Sequence, residues 1–345
     1  MSHSTVPRSR AEADDRAGRP PVASDGTTGT DKKEKAGKLS LRLRFRRDRA
    51  LILMTLPAVL LLLVFNYLPI LGNIVAFQDY DPYVSDNGIV SMLHSAWVGV
   101  ENFQQIFADS AFWNAVQNTL VLFFLQLVLF FPVPIALALL INSVVRPRLR
   151  ALSQAILYLP HFFSWVLVIS VFQQIFGGAG VLSQLLRQHG YNGLTIMTDP
   201  STFKFLVTAE SIWKDAGWGI IVFLAALASV SPDLYEAAAM DGAGRWRRIW
   251  HVTLPALRPV IALLLVLRVG DALTVGFEQI LLQRDAVGPG AAEVLDTFVW
   301  WNGVRNQDFG YAAAAGLIKG VVSLGLVLVA NKVAHLMGEQ GVYKK

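Results

Sequence analysis

The chain has 345 residues, of which 54% are hydrophobic and only 16% are charged, and it contains no cysteine. The absence of cysteine excludes disulfide bonds and thiol chemistry from this chain. Its net charge of +5 does not indicate nucleic acid binding, because the basic residues flank long apolar blocks, a pattern typical of membrane topology.

The first 49 residues form a hydrophilic segment with a basic end. Residues 1–38 contain almost no large apolar side chains. Such a segment cannot bury enough surface to offset its ordering entropy, so we predict a disordered tail over residues 1–49. Five arginines between Arg42 and Arg49 precede the first apolar block, and this excess of basic residues predicts that the tail is cytoplasmic.

Six apolar blocks are long enough to cross a bilayer, which takes about 20 residues in a helix. We predict transmembrane helices over residues 50–77, 112–145, 155–176, 205–230, 259–282 and 310–337. The fifth is the weakest, because Arg268, Asp271 and Glu278 interrupt it. Basic residues fall on alternate connecting segments, so both termini are expected in the cytoplasm. The sequence therefore predicts an all-α, polytopic membrane domain over residues 50–345.

The segment 231–258, predicted to be cytoplasmic, has the pattern of two short helices joined by a turn. Ser231 can cap the first helix, and Pro232 suits its first position. Asp241 and Gly242 form a turn signal, and we expect a positive φ at Gly242. A second, amphipathic helix is expected to follow and to end near residues 253–255, where the chain returns to the membrane.

This segment resembles the cytoplasmic signature loop of ABC importer permeases, in which Glu-Ala-Ala is followed by Gly and then by Leu-Pro. The matching residues here are Glu236, Ala237, Ala238, Asp241, Gly242, Leu254 and Pro255. The resemblance implies the type I ABC importer permease fold. It also implies that the loop docks in a groove of a separate ATPase subunit and couples ATP hydrolysis to transport.

Further segments resemble the lipoprotein-associated polysaccharide permeases, which belong to the maltose-importer class. These segments are residues 158–165, 275–279 and 330–343. The resemblance implies a sugar or oligosaccharide substrate, a second permease subunit, an extracytoplasmic solute-binding lipoprotein, and a location in the bacterial plasma membrane. Since no phosphate-binding Gly-Lys-Ser/Thr loop is present, we expect no cofactor in this chain, and ATP should be bound by the partner subunit. We find no metal-ligand cluster pattern either.

An alternative for the loop is an interfacial amphipathic helix that lies on anionic lipid, with Trp246 and Trp250 as anchors. That alternative explains neither the turn at Gly242 nor the exit through Leu254 and Pro255.

Four residues are candidates for a polar lining of the substrate path. They are Asp271, Glu278, Gln279 and Lys319. Ionisable side chains inside a membrane usually face a cavity or a partner. Arg268 and Asp271 are three residues apart, so a structural ion pair on one helical face is the alternative.

The same two alternatives, a polar path lining or a structural pair, apply to Lys214 and Asp215, and a third is that they lie close to the outer surface. His161 is interpreted as a packing residue.

Two other functions are compatible with a polytopic chain. An ion-driven secondary transporter would need paired, interrupted helices with midplane carboxylates, and only one block is interrupted by charge. A membrane glycosyltransferase would need catalytic carboxylates on a loop at the membrane face. Asp79 and Asp81 are such a pair, but their loop is predicted to face outward.

Overall fold

The computed structural model describes residues 41–336, and it divides the chain into a unit that ends at Leu62 and a unit that begins at Leu63. The described part of the first unit is one helix, α1 (Leu41–Leu62), with Pro57 inside it. Residues 41–49, which belong to the predicted tail, are helical here, and the Leu and Arg that make up most of this segment favour helices. Residues 1–40 of that tail lie outside the described residues.

The second unit is built from α-helices, most of them connected by short turns. They are α2 (Leu68–Leu71), α3 (Gly88–His94), α4 (Glu101–Ala108), α5 (Ser110–Leu125), α6 (Pro132–Asn142), α7 (Pro147–Tyr158), α8 (Trp165–Phe176), α9 (Val181–Gln188), α10 (Phe203–Ala228), α11 (Pro232–Met240), α12 (Arg245–Arg248), α13 (Leu254–Gly270), α14 (Phe277–Val287), α15 (Pro289–Ala292), α16 (Leu295–Trp300) and α17 (Phe309–Leu336).

Wider and tighter helical turns, and one small sheet, complete this unit. The π-helical turns are Leu63–Tyr67, Gln126–Phe130, Ile249–Thr253 and Trp301–Arg305, and the 3₁₀ turns are Gly72–Phe77, Pro82–Val84 and Leu159–Phe162. Strands β1 (Gln78–Asp79) and β2 (Ala96–Trp97) pair antiparallel, with Gln78 opposite Trp97.

Six helical segments are long and apolar enough to cross a membrane. They are Leu51–Phe77, Ser110–Asn142, Trp165–Gln188, Phe203–Ala228, Arg245–Gly270 and Phe309–Leu336. The predicted all-α class with six spans is thereby confirmed, whereas the cytoplasmic location of both termini stays a prediction.

The third span differs from its prediction, which started it at residue 155. The chain breaks between α7 and α8, where Pro160 lies in the 3₁₀ turn Leu159–Phe162. Ser164 then takes an extended conformation, and its Oγ accepts a hydrogen bond from the Leu167 amide at 3.3 Å. The apolar helix therefore starts afresh at Trp165, because a proline and an N-cap serine together end one helix and begin the next.

The fifth span was predicted to reach residue 282, but α13 ends at Gly270. Asp271 follows with φ −90° and ψ 15°, and the Thr274 amide bonds back to the Asp271 carbonyl at 2.9 Å. Gly276 then has φ +56°, which L side chains adopt rarely, and it starts the separate helix α14. This reversal places Asp271 and Glu278 on different elements.

Helix α10 packs against the break between α7 and α8 with its backbone in contact. A Cβ atom at Gly217 would lie 1.9 Å from the Leu157 carbonyl oxygen. Only glycine fits at such a distance, and the close approach brings the start of the break directly against the middle of α10. Towards its C-terminal end, α10 buries Ile220, Phe223 and Leu227 in an apolar cluster that includes Leu257 of α13.

Candidate functional site

The loop that follows α10 forms two short helices, as predicted. Ser231 Oγ accepts a hydrogen bond from the Asp233 amide at 3.3 Å, and Pro232 occupies the first turn of α11. The cap satisfies one amide that a helix start leaves unpaired, and Asp233 lies at the positive end of the helix dipole. The N-terminus of α11 is thus set by residues 231–233.

Gly242 ends α11 with the predicted positive φ, which is +74°. The Ala243 amide donates to the Ala238 carbonyl at 2.9 Å, and the Gly242 amide donates to the Ala239 carbonyl at 3.0 Å. This pair of bonds is the Schellman motif, which needs a left-handed residue at the position of Gly242. The turn fixes the direction in which the chain leaves α11.

The second short helix continues into the membrane span instead of ending near residue 253. In the π-helical turn Ile249–Thr253, the Leu254 amide bonds to the Ile249 carbonyl. A wide turn accommodates Pro255, which lacks an amide proton and in a regular helix would clash with the carbonyl four residues earlier. The segment from Arg245 to Gly270 is consequently one helical unit, with Leu254 and Pro255 inside it.

A contact between α11 and this unit holds the loop together. The Tyr235 hydroxyl lies 3.2 Å from Thr253 Oγ1, and Thr253 is buried. Tyr235 and Ala238 are half-buried on one side of α11. The other side is open, and it carries the exposed residues Leu234, Glu236, Ala237, Met240, Asp241 and Gly242. Among the predicted coupling residues of α11, only Ala238 therefore faces its own chain.

A second polar site lies near the middle of α10, where that helix meets the break before α8. His161 Nδ1 lies 2.9 Å from Asp215 Oδ1, and Lys214 Nζ donates to the His161 carbonyl at 2.7 Å. Lys214 Nζ is also 3.6 Å from Asp215 Oδ1. Lys214 and Asp215 lie in the candidate span Phe203–Ala228, as predicted, and the structure shows them as members of a paired cluster.

Aromatic rings frame this cluster. The His161 ring stacks on Trp218, with centroids 4.7 Å apart and planes 14° apart, and Lys214 Nζ lies 5.4 Å from the Trp165 ring centroid. His161 is thus a packing residue, as interpreted, but it also bonds to Asp215. The side chains of His161 and Asp215 are 31% and 33% exposed. Charge inside a membrane does not face lipid tails, so this open edge must face water or another protein surface.

Arg268 lies near the end of α13. Its guanidinium donates to Gln126 Oε1, and it lies 6.0 Å from the Phe130 ring centroid. Among the described residues, no ion pair joins Arg268 to Asp271, although the Asp271 amide still bonds to the Leu267 carbonyl at 3.1 Å. The ion pair that the spacing suggested is therefore not formed, and Arg268 contacts Gln126 instead.

The predicted path residue Gln279 is fully buried and bonded within the protein. Its Nε2 donates to Glu210 Oε2 at 2.7 Å and to the Val207 carbonyl at 2.9 Å, while its Oε1 accepts from Ser211 Oγ at 3.1 Å. These bonds tie α14 to α10. Asp271 and Glu278, by contrast, are exposed.

Lys319, the fourth predicted path residue, forms an ion pair with Asp296 of α16. Both side chains are mostly buried, at 17% and 21% exposed. Asp296 lines an open cavity of 650 Å³, together with Thr274 from the turn after α13 and Phe277 from the start of α14. Lys319 thus lies beside a cavity, with its charge already paired.

Sequence reasoning missed His161, Asp215 and Trp218 as members of one site. Asp215 and Trp218 are three residues apart on α10, which could have indicated a shared helical face. Nothing in the local sequence indicates that His161 would meet them, because that contact depends on the close approach at Gly217.

Known proteins similar to this chain agree with this architecture. Residues 130–337 match the family model described as the binding-protein-dependent transport system inner membrane component. The polygalacturonan/rhamnogalacturonan transport system permease protein YteP of Bacillus subtilis (strain 168) is 42% identical over 313 residues, which cover 90% of this chain and 95% of that protein. Protein LplB of the same organism is 39% identical over 310 residues, covering 89% and 96%.

A solved structure is similar as well. One chain of the crystal structure of a bacterial alginate ABC transporter, in complex with an alginate pentasaccharide-bound periplasmic protein, has a TM-score of 0.79 and 37% sequence identity. The match covers 88% of this chain and 99% of that chain. Together with the six spans, these similarities identify a multi-pass protein of the plasma membrane. The chain belongs to the family of binding-protein-dependent transport system inner membrane components, the permease subunits of ABC importers.

Proposed function

We propose that this chain forms one side of the translocation path of an ATP-driven importer for oligosaccharides, and that its loop 231–258 couples this path to a separate ATPase. The remaining parts would be a second permease subunit, ATPase subunits that bind the ATP, and an extracytoplasmic solute-binding lipoprotein. This chain itself would hold no cofactor. The observation that carries the proposal is the exposed helix α11, which a Schellman turn joins to a helical unit that enters the membrane.

The mechanical argument rests on that connection. Because α11 is fixed to Thr253 through Tyr235, a force on α11 acts directly on the helix Arg245–Gly270. The far end of this helix carries Arg268, whose guanidinium donates to Gln126 of the second span. A partner that moves α11 would therefore pull on Arg268 and on its contact with the second span. Glu236, Ala237, Asp241 and Gly242 are the residues that such a partner would contact, with Ala238 supporting them from behind.

The substrate class is proposed from the relatives and from the chemistry of the cluster. Two of the similar transporters are named for uronate-containing polysaccharides, polygalacturonan/rhamnogalacturonan and alginate. Trp218 is 54% exposed and has one face stacked on His161, so its other face can accept a sugar ring, while Asp215 and Asp271 can accept hydrogen bonds from hydroxyl groups. Binding sites commonly combine an aromatic wall with a few polar groups in this way. Uronate-containing oligosaccharides are therefore the first substrates to test.

The coupling role is tested by co-purification of the ATPase with the variant Ala237→Trp. Ala237 is exposed, so the bulky ring should leave the fold intact and block a closely fitting partner. The matched control is Ala179→Trp, which changes an exposed alanine between α8 and α9. We expect Ala237→Trp to lose both the ATPase and uptake, and the control to keep both. Equal retention of the ATPase in the two variants would remove α11 from the interface.

The path is tested by uptake of labelled uronate-containing and neutral oligosaccharides into proteoliposomes that contain the assembled importer and its binding protein. Trp218→Ala should lower uptake while ATPase assembly is kept. Trp213→Ala is the matched control, because Trp213 is also partly exposed on α10, at 42%, but packs edge-on against Phe172. Equal uptake by the two variants would mean that the cluster does not line the path.

A further inference from the structure

A groove of 730 Å³ lies between the end of α6 and the loop 231–258, and the coupling role does not account for it. Its walls change character along α6. Ala136, Leu139 and Leu140 line one end, while Asn142 and Ser143 lie at the other. From Ala136 to Ser143 the helical rise gives about 10 Å. The groove therefore has an apolar inner end and a polar outer end. A lipid molecule has the same order, with its acyl chains inside the membrane and its headgroup at the surface.

Two arginines from the loop close the polar end of this groove, Arg245 and Arg248. Neither guanidinium has a hydrogen bond or an ion pair within the part of the chain that the structure describes. The three carboxylates of α11 and its turn, Asp233, Glu236 and Asp241, are exposed and do not line the groove. The polar end thus presents two uncompensated positive charges.

Guanidinium groups bind phosphate oxygens well, since their planar donors match two oxygens at once. Trp246, which also lines the groove, is 77% exposed, and tryptophan favours the boundary between headgroups and acyl chains. A soluble protein partner would not need an apolar channel that continues along a membrane helix. The two positive charges and the apolar wall together fit a molecule that has an anionic headgroup and an acyl chain.

We propose that this groove binds an anionic phospholipid from the leaflet that faces the loop, with its phosphate between Arg245 and Arg248 and an acyl chain along Leu139 and Leu140. The assignment of this end of α6 to the membrane surface rests on the proposed function. A lipid in this position would join α6 to the coupling loop. The phospholipid content around the importer would then influence how firmly the loop is held.

The test measures phospholipid retained by the full-length chain, purified with its partner subunits in nanodiscs and analysed by native mass spectrometry. The probe is phosphatidylglycerol, titrated against phosphatidylcholine. The double variant Arg245→Gln/Arg248→Gln is compared with Arg247→Gln/Arg258→Gln, which removes the same charge from exposed arginines outside the groove. We expect roughly 10-fold weaker retention in the first variant, because it loses both guanidinium contacts with the phosphate, and a much smaller change in the second, which loses only general surface charge.

Three results would overturn the proposal. Equal losses in the two double variants would reduce the effect to general surface charge. Displacement of the lipid by glycerol phosphate at equal concentration would identify a site for soluble phosphates. Lipid that the two permease subunits alone retain, but that the complex with the ATPase subunits does not, would show that the groove belongs to the protein interface. Leu140→Trp, which fills the apolar end and leaves both arginines in place, should lower lipid retention as well. Unchanged retention in that variant would also contradict the proposal.

Discussion

Replacing Gly242 with valine tests whether the angle between α11 and the following helix matters for coupling. Gly242 has φ +74°, and a Cβ atom there would meet no atom within 4 Å. The substitution therefore introduces no clash, and its cost lies in the backbone. A left-handed conformation costs an L residue about 1–2 kcal/mol, and β-branched residues are the least tolerant.

In the valine variant, the native turn competes with other conformations in which residue 242 has a negative φ. Leaving the turn breaks the two hydrogen bonds from Gly242 and Ala243, each worth about 0.5–1.5 kcal/mol. Gly242 is exposed and Ala243 only half-buried, so water can replace most of that loss. The backbone cost then dominates, and we expect the population of the native turn to fall by a factor of about 5–30. The loop lies outside the apolar cores, so the melting temperature of the chain should change little.

The assay compares ATPase co-purification and binding-protein-dependent uptake for wild type and Gly242→Val. Gly242→Asn is the conformational control, since asparagine tolerates positive φ and should keep both activities. Gly244→Val is the control for bulk, because Gly244 has φ −67° with ψ 170° and nothing within 4 Å of a Cβ atom. Full uptake by Gly242→Val, or equal damage by Gly244→Val, would refute the argument from backbone conformation.

Three further predictions concern the membrane domain. Gly217→Ala should destabilise the chain by about 1–3 kcal/mol, because its Cβ would overlap the Leu157 carbonyl. The control is Gly320→Ala, whose Cβ meets no atom within 4 Å and which should stabilise α17 by up to about 1 kcal/mol. The melting temperatures of the two variants check this prediction. Asp215→Asn should abolish most uptake at a stability cost of about 1 kcal/mol or less, since the carboxylate is one-third exposed, and comparison of uptake with melting temperature separates the two effects. A reporter fused after Lys345 should be active only in the cytoplasm, and outside activity would contradict the topology.

The spans and the turn were predictable because each depends on local sequence. An apolar block of about 20 residues has few alternatives to a membrane helix. The pair Asp241–Gly242 predicts a sharp turn because glycine adopts positive φ without steric cost. Both features follow from the properties of neighbouring residues, and neither requires knowledge of what packs against them.

The ends of the third and fifth spans were not predictable in the same way. In a uniformly apolar block, the hydropathy signal does not distinguish a continuous helix from two helices with a break, so Pro160 and Ser164 were assigned to one span. The polar residues Asp271 and Glu278 were read as interruptions of a helix, although they flank a reversal whose geometry depends on Gly276. Hydropathy indicates whether a residue prefers lipid or water, and it does not indicate where the backbone leaves a helix.

The break before α8 and the charged pair on α10 explain each other. A break at the start of a membrane span frees carbonyl groups from helical hydrogen bonds, and such groups are tolerated only when protein or water satisfies them. Lys214 satisfies the His161 carbonyl, Asp215 pairs with Lys214 and holds the His161 ring, and Gly217 allows the close approach that brings them together. The two charged side chains would be costly unpaired in a span, and the pairing leaves an edge of His161 and Asp215 partly exposed. A polar edge that its own chain leaves open in this way is suited to a wet path, and it would be a defect on a surface that faces lipid.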